Sequence, residues 1–362
     1  MSTLLATPDE KRVALEASVG RSPWQDSKVR LLRNKAAMFS AWILALITLI
    51  AIAGPWVWPH KYDAIYEARV GLAPTMNWKQ TKIAQLEEDG LCAPATYTTN
   101  GTDAYVCQEL PAGFENENSP AISHATNVEL KTGARGTPSD WHLLGTDEQG
   151  RDQAVRLMYG MRVSLAVGLT ATLVSLLIGV AYGATAGFLG GRADEIMMRF
   201  VDILYALPFI FFVIILMTVF GRSFILIFIA IGAVEWLTMA RIVRGQTLAL
   251  KAREFVEASR AAGLQQSLIV LRHIVPNLLG PVVVYATLTV PGVILAESFL
   301  SFLGLGVQEP LTSLGRLLSR GAAQMETAPW LLIAPAAAMM ITLFALNFLG
   351  DGLRDALDPR DR

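Results

Sequence analysis

Few side chains in this 362-residue chain are able to do chemistry. It has four histidines and two cysteines, too few and too scattered for a closed metal site, which needs about four close ligands. No G-x-x-x-x-G-K-[ST], H-E-x-x-H or G-x-S-x-G occurs. The sequence therefore offers no phosphate cradle, zinc helix or nucleophile elbow of those kinds, and no catalytic residue is assigned. Cys92 and Cys107 share one polar stretch, where a disulfide is the chemistry expected of them; two free buried thiols is the alternative. Glu235 and Glu297 lie inside apolar runs. An ionisable group there is expensive and faces a cavity or a partner, so both are candidates for a translocation path or a subunit interface. The competing reading satisfies each with backbone or Ser/Thr neighbours, and for Glu297 a structural bond near one end of its span is the preferred reading.

The elements that must hold these residues are membrane helices. Hydrophobic residues make up 53% of the chain and charged ones 17%, well below the quarter usual in soluble domains, and mean hydropathy is +0.42. A net charge of −1 and the lack of a basic, aromatic-interleaved patch set nucleic acid aside. A crossing helix needs about 20 apolar residues. Six stretches are predicted to cross: Met38–Trp58, Val163–Leu189, Val201–Phe220, Phe224–Met239, Leu278–Leu303 and Pro329–Phe348. The fold class expected is thus an all-α polytopic membrane protein with an external, loop-rich insert between the first two spans. The domains run 1–37 (tail), 38–58 (first helix), 59–155 (insert), 156–349 (five-helix core) and 350–362 (tail), with a cytoplasmic loop at 241–276.

Sidedness follows from lysine and arginine. Lys11, Arg12, Arg21, Lys28, Arg30, Arg33 and Lys35 precede the first span, and Arg241, Arg244, Lys251, Arg253, Arg260 and Arg272 fill the loop after the fourth. Both termini are therefore expected in the cytoplasm. Ala51-Ile52-Ala53 resembles a cleavage site, but the charged region before it, about 35 residues, is too long for a signal peptide, so an uncleaved anchor is expected. The insert is rich in turn residues and has room for one hairpin. Topology puts its cysteines outside, where thiols oxidise.

The loop from Glu254 to Asn277 has a distinct local grammar. Glu254 and Glu257 open a helix, Ala258, Ser259, Ala261 and Ala262 give it a face of small residues, and Gly263 fits the left-handed position that ends a helix. Leu264, Leu268 and Leu271 then recur on one face of a second, amphipathic helix expected to lie across the membrane surface. Pro276 fits the first turn of the next span. A small-residue face lets another protein approach closely, and a plain helical connector satisfies the same physics.

A resemblance separates these readings. Glu257-Ala258-Ser259, three residues, Gly263, nine residues, then His273-Ile274-Val275-Pro276 resembles the EAA loop of ABC importer permeases. Ser259 replaces the second alanine, and His273 and Val275 depart from the general pattern toward the peptide-importing branch. Gly145-Thr-Asp-Glu-Gln-Gly-Arg-Asp152, the Glu297–Gly306 run and Asn347–Arg360 are similar to further segments of the dipeptide and oligopeptide importers, and Ser22–Asp26 to the start of their C-type subunit. About 65–135 carries no family pattern. The resemblance implies a type I importer permease with six membrane helices in the bacterial inner membrane. It implies a heterodimer with a B-type permease subunit, two ATPase subunits that carry ATP and Mg, and a periplasmic or lipid-anchored peptide-binding protein. This chain itself would hold no cofactor. Glu254, Glu257, Ala258, Ser259, Gly263, His273 and Pro276 would form the joint with one ATPase. Oligopeptides are the expected cargo, with dipeptides or nickel as alternatives. A self-contained secondary transporter, which would show internal repeats, is the rival of another class.

Overall fold

The computed structural model describes residues 23–65, 71–74, 92–94, 104–107, 128–131, 141–221 and 224–357. Helix α1 (Pro23–Arg33) leads into α2 (Lys35–Val57), which begins on an Asn34 cap whose Oδ1 accepts from the Ala37 N–H at 3.2 Å. Three short strands follow: β1 (Cys92–Pro94), β2 (Ala104–Cys107) and β3 (Val128–Lys131). They form one antiparallel sheet in the order β1-β2-β3. The chain is thus mostly helical rather than all-α, and a third strand joins the single hairpin expected. Its register sets Cys92 directly opposite Cys107. Their side chains lie outside the described residues.

The helical core consists of α3 (Gln153–Leu189), α4 (Gly191–Ala206), α5 (Phe209–Phe220), α6 (Phe224–Lys251), α7 (Glu254–Ala261), α8 (Gln266–Ile269), α9 (Val275–Phe302), α10 (Leu314–Ala323) and α11 (Trp330–Leu357). Among the described residues, four helices are long and apolar enough to cross a membrane: α2, α3, the run from Gln266 to Phe302, and α11. The third predicted span is not one helix. Its two halves, α4 and α5, meet at 84°, because Leu207 and the N–H-less Pro208 interrupt the ladder. The fourth predicted span ends at Lys251 rather than Met239, so the loop begins as a continuation of its helix. The second begins at Gln153, ten residues early, because Asp152 caps it by accepting from the Val155 N–H at 2.9 Å.

The closest helix pairing is α3 against α6, along a glycine stripe. Gly179, Gly183 and Gly187 recur every fourth residue. A Cβ built at Gly179 would sit 2.6 Å from the Met239 Cβ; at Gly183, 3.0 Å from the Arg244 N; at Gly187, 2.8 Å from the Arg244 O. The two backbones approach as only small residues allow. Proline supplies a second device. Pro55 in α2 leaves the Ala51 carbonyl without its helical donor, and Arg162 of α3 takes it, Nε donating at 3.0 Å. Pro335 frees the Leu331 carbonyl in the same way, and Gln153 Nε2 lies 3.5 Å away. Polar side chains of α3 thus answer breaks in its neighbours.

Glu297 of α9 is fully buried, with Oε1 accepting from Ser301 Oγ at 2.7 Å and Oε2 from Ser164 Oγ at 3.4 Å. Ser164 Oγ also accepts from the Leu314 N–H at 3.0 Å, and Ser313 caps α10 by accepting from the Arg316 N–H at 3.1 Å. This node ties α3, α9 and α10. Glu297 therefore does not line an open surface of this chain, because its oxygens are spent on serines inside the bundle.

An ion cluster closes the same end. Arg151 bonds Asp147 Oδ2 through Nε at 2.8 Å and Glu309 Oε1 through Nη1 at 3.3 Å, and Arg320 also pairs with Glu309. The Tyr62 hydroxyl donates to the Pro310 carbonyl, and burial pushes its phenol up from the usual value, so it stays a donor. Burial also pushes the Glu309 carboxyl up, but Arg320 and Arg151 outweigh it and hold it below the ordinary 4.5.

Four outcomes are expected. Gly183→Val should cost roughly 2–3 kcal/mol by overpacking the α3–α6 seam, read as a lower thermal midpoint in detergent. Gly245→Ala, exposed in α6 where a Cβ meets nothing within 4 Å, should not lower the midpoint and should raise it slightly, because alanine is the better helix former. The Glu309 pairing, being that of a lowered pKa, stabilises above the ordinary carboxylate value and is lost as pH falls below it. The midpoints of wild type and Glu309→Gln should therefore converge as pH drops below the ordinary carboxylate value. Finally, the Cys92–Cys107 register predicts that unreduced, unfolded protein resists thiol alkylation; two alkylated cysteines would refute the bond.

Candidate functional site

The predicted loop residues gather at the end of the bundle opposite the ion cluster. Helix α7 is short and is anchored by one residue: Val256 is fully buried among Phe188, Val243, Ile269 and Ile274. Around it the helix is open. Glu254, Phe255, Glu257, Ala258 and Ala261 are exposed. Phe255 is 39% exposed. An eight-residue helix cannot hold itself in water. Two features support it. Glu254 and Glu257 occupy the first turn, where the helix dipole favours negative charge, and Arg260 the last, where it favours positive. Arg260 also sits over the Phe188 ring, 5.2 Å from its centroid, with Lys251 5.8 Å away, so two cations fasten the loop to the end of α3.

The stop is chemically explicit. Gly263 has φ +78°, its N–H donates to the Arg260 carbonyl at 2.9 Å, and the Leu264 N–H donates to the Ser259 carbonyl at 3.2 Å. This pair of bonds is a Schellman motif, with Gly263 at the left-handed position. A Cβ at Gly263 would meet nothing within 4 Å, so the constraint there is backbone conformation and not space. Ser259, half-buried, turns its hydroxyl back to the Phe255 carbonyl at 2.7 Å.

The second half of the loop corrects the expectation of a separate surface helix. From Gln266 the chain runs through a π-helical turn, Val270–Ile274, directly into α9. His273 is half-buried in that turn, its carbonyl accepting from Asn277 Nδ2 at 2.6 Å, and Pro276 is exposed in the first turn of α9. Leu268 and Leu271 are exposed, while Ile269 and Ile274 fill the core, so the leucine face points away from this chain. It borders an apolar groove of about 420 Å³ shared with Ala184 and Phe188 of α3.

The structure places Glu254, Glu257, Ala258 and Ser259 on α7, Gly263 at its stop, His273 in the π-turn and Pro276 in the first turn of α9. It leaves Glu235 apart, half-buried on α6, and Glu297 apart in the serine node. Sequence reasoning missed Val256 and Phe255, whose alternation of anchor and open aromatic was visible in Glu254-Phe-Val-Glu257. It also missed the brace behind the loop, where Arg244 grips Asp194 with two bonds of 2.6 Å and Arg241 reaches Asp202 at 2.8 Å.

One group has the residue types of a metal site. His60, His142 and Asp152 are buried, with ligand atoms within 4.8 Å of one another. The fit fails on geometry. His142 Nδ1 donates to Asp152 Oδ2 at 2.9 Å, and His60 Nε2 bonds the Trp141 carbonyl. The rings stack 4.3 Å apart at 19°, so their lone pairs do not converge on one point. With Trp58 Nε1 donating to Asp152 Oδ1 at 3.0 Å, the group is a clasp between the end of α2 and the start of α3.

The chain is similar to several known proteins. Residues 162–362 match the family model for the inner membrane component of binding-protein-dependent transport systems. Residues 22–74 match that for the N-terminal membrane domain of oligopeptide transport permease C. The oligopeptide transport system permease protein OppC of Haemophilus influenzae is 47% identical over 95% of this chain and 90% of its own length. OppC of Escherichia coli K12 is 46% identical over 95% and 93%. The dipeptide permease protein DppC of Bacillus subtilis is 48% identical over 62% of this chain and 71% of its own. The chain belongs to the family of inner-membrane permease components of binding-protein-dependent transport systems.

Proposed function

We propose that this chain is the C-type membrane subunit of an ATP-driven oligopeptide importer, that it forms half of the translocation pathway, and that α7 is its joint to an ATPase. The observation that carries this is the form of α7: a helix held from behind by Val256 and Arg260, open on the side of Glu254, Glu257 and Ala258, and stopped at Gly263. An exposed helix of small residues with one aromatic is complementary to a groove on another protein. ATP and Mg belong to two partner ATPase subunits, because this sequence has no phosphate cradle. A B-type permease completes the pathway, and an extracytoplasmic binding protein delivers the peptide.

In this reading six membrane segments are reached by counting the bent α4–α5 pair and α6 with the four long helices. The arginine-rich loop faces the cytoplasm together with both termini, in the inner membrane, and the 59–155 segment lies outside. ATPase closure pushes α7 and biases a two-state equilibrium between outward- and inward-open forms. Glu235, half-buried on α6, is assigned to the path or to the contact with the B-type subunit. Oligopeptides are favoured over dipeptides as cargo by the higher identity over nearly the whole chain, 47% and 46% to the oligopeptide relatives against 32% to the dipeptide permease protein DppC of Lactococcus lactis.

Two variants test the joint. Ala258→Trp adds bulk on an exposed face and should leave the chain inserted and folded. It should lower ATPase copurification about tenfold or more, the effect of a blocked interface centre. Gly263→Leu forces a side chain into the left-handed region at a cost of about 1–2 kcal/mol, redirecting α7, and should abolish most peptide uptake at normal membrane levels of the protein. Wild-type copurification and uptake in both variants would refute the joint.

A further inference from the structure

The end of the bundle away from α7 holds more guanidinium than it can pair. Arg156, in the first turns of α3, is 1% exposed, and its Nε, Nη1 and Nη2 have no hydrogen-bond partner among the described residues. The nearest carboxylate, Asp147, is 3.5 Å from Nε and already takes two bonds from Arg151. The Tyr62 ring covers Arg156 at 5.5 Å from its centroid, and the Tyr62 hydroxyl reaches the Pro310 carbonyl, so Arg156 lies against the segment that leads into α10. Gly160, one turn further along α3, is built against Ser313 and Leu314. In that same segment Thr312 Oγ1, Arg316 Nε and Arg320 Nη1 are also buried without a partner.

The charges do not balance. Arg151, Arg156 and Arg320 share only Asp147 and Glu309, which leaves one positive charge over. A buried, unpaired guanidinium costs several kcal/mol in general, and a buried donor set without acceptors calls for a bound ion or water. The unused groups are donors, so the missing species accepts hydrogen bonds and carries negative charge. One surplus charge calls for a monovalent ion. Arg156 is 1% exposed, which favours a small one.

We propose that Arg156 is the centre of a buried site for one small monovalent anion of the chloride class, with Thr312 Oγ1 and Arg320 Nη1 as further donors. The site joins α3 to α10 through the ion, and this holds whatever the chain transports.

The test uses the complete transporter. In crystals grown with bromide replacing chloride, an anomalous difference peak is expected within hydrogen-bonding distance of Arg156. In solution at equal ionic strength, replacing chloride by gluconate should lower the thermal midpoint of the wild type. Once chloride exceeds its dissociation constant, each further tenfold should raise the folded-to-unfolded ratio about tenfold. Arg156→Met, which keeps the length and removes the charge, should show no difference between the two salts. No bromide peak at Arg156, an unchanged wild-type midpoint in gluconate, or the full chloride dependence persisting in Arg156→Met would each overturn the site. If Arg156→Met does not accumulate, the bromide map decides alone.

Discussion

The backbone contact between α3 and α6 is the constraint on which the rest of the architecture hangs. In a membrane there is no hydrophobic drive for two apolar helices to associate, so they hold by close packing and by polar bonds. Gly179, Gly183 and Gly187 give α6 a track without side chains. That track fixes where α6 ends, and with it the place where Lys251 hands the chain to α7. The pairs Arg244–Asp194 and Arg241–Asp202 lock the same end of α6 to α4. The loop therefore stands on a frame that cannot slide without breaking both the glycine track and the ion pairs.

At the other end α3 works differently. It carries the polar groups that its neighbours need: Arg162 for α2, Gln153 for α11 and Ser164 for the α9–α10 corner. Buried polar groups satisfied in this way specify one arrangement, since any shift in register strands several of them at once. One long helix thus joins two kinds of cohesion, bare contact at one end and hydrogen bonding at the other.

Much of this was legible in the sequence. The first, fifth and sixth spans are apolar runs of crossing length, and α2, α9 and α11 coincide with them to within a few residues at most of their ends. Gly263 was legible because a helix stop needs a left-handed residue, and the φ of +78° agrees. What was not read depends on partners. The run through Leu207 and Pro208 is apolar on both sides, so hydropathy cannot see the 84° bend. The glycine stripe was present as a spacing of four, but its meaning lies on α6, on residues far away in the chain. The fate of Glu297 was open for the same reason: three serines from three elements decide it. The leucines at 268 and 271 recurred as expected, yet local periodicity could not tell which face this chain would cover itself.

The π-turn at Val270–Ile274 has a mechanical side. Because the ladder does not break there, Gln266 to Phe302 is a single strut of 37 residues, about 55 Å long at 1.5 Å per residue. Its near end abuts the Gly263 stop, and its far end carries Glu297 and Ser301. A tilt of roughly 5° about the near end would carry the far end sideways by about 5 Å, the rise of one helical turn. A strut of that length turns small angular errors at the loop into large linear ones at the corner, so the serine node that pins the far end sets how stiffly the whole lever is held.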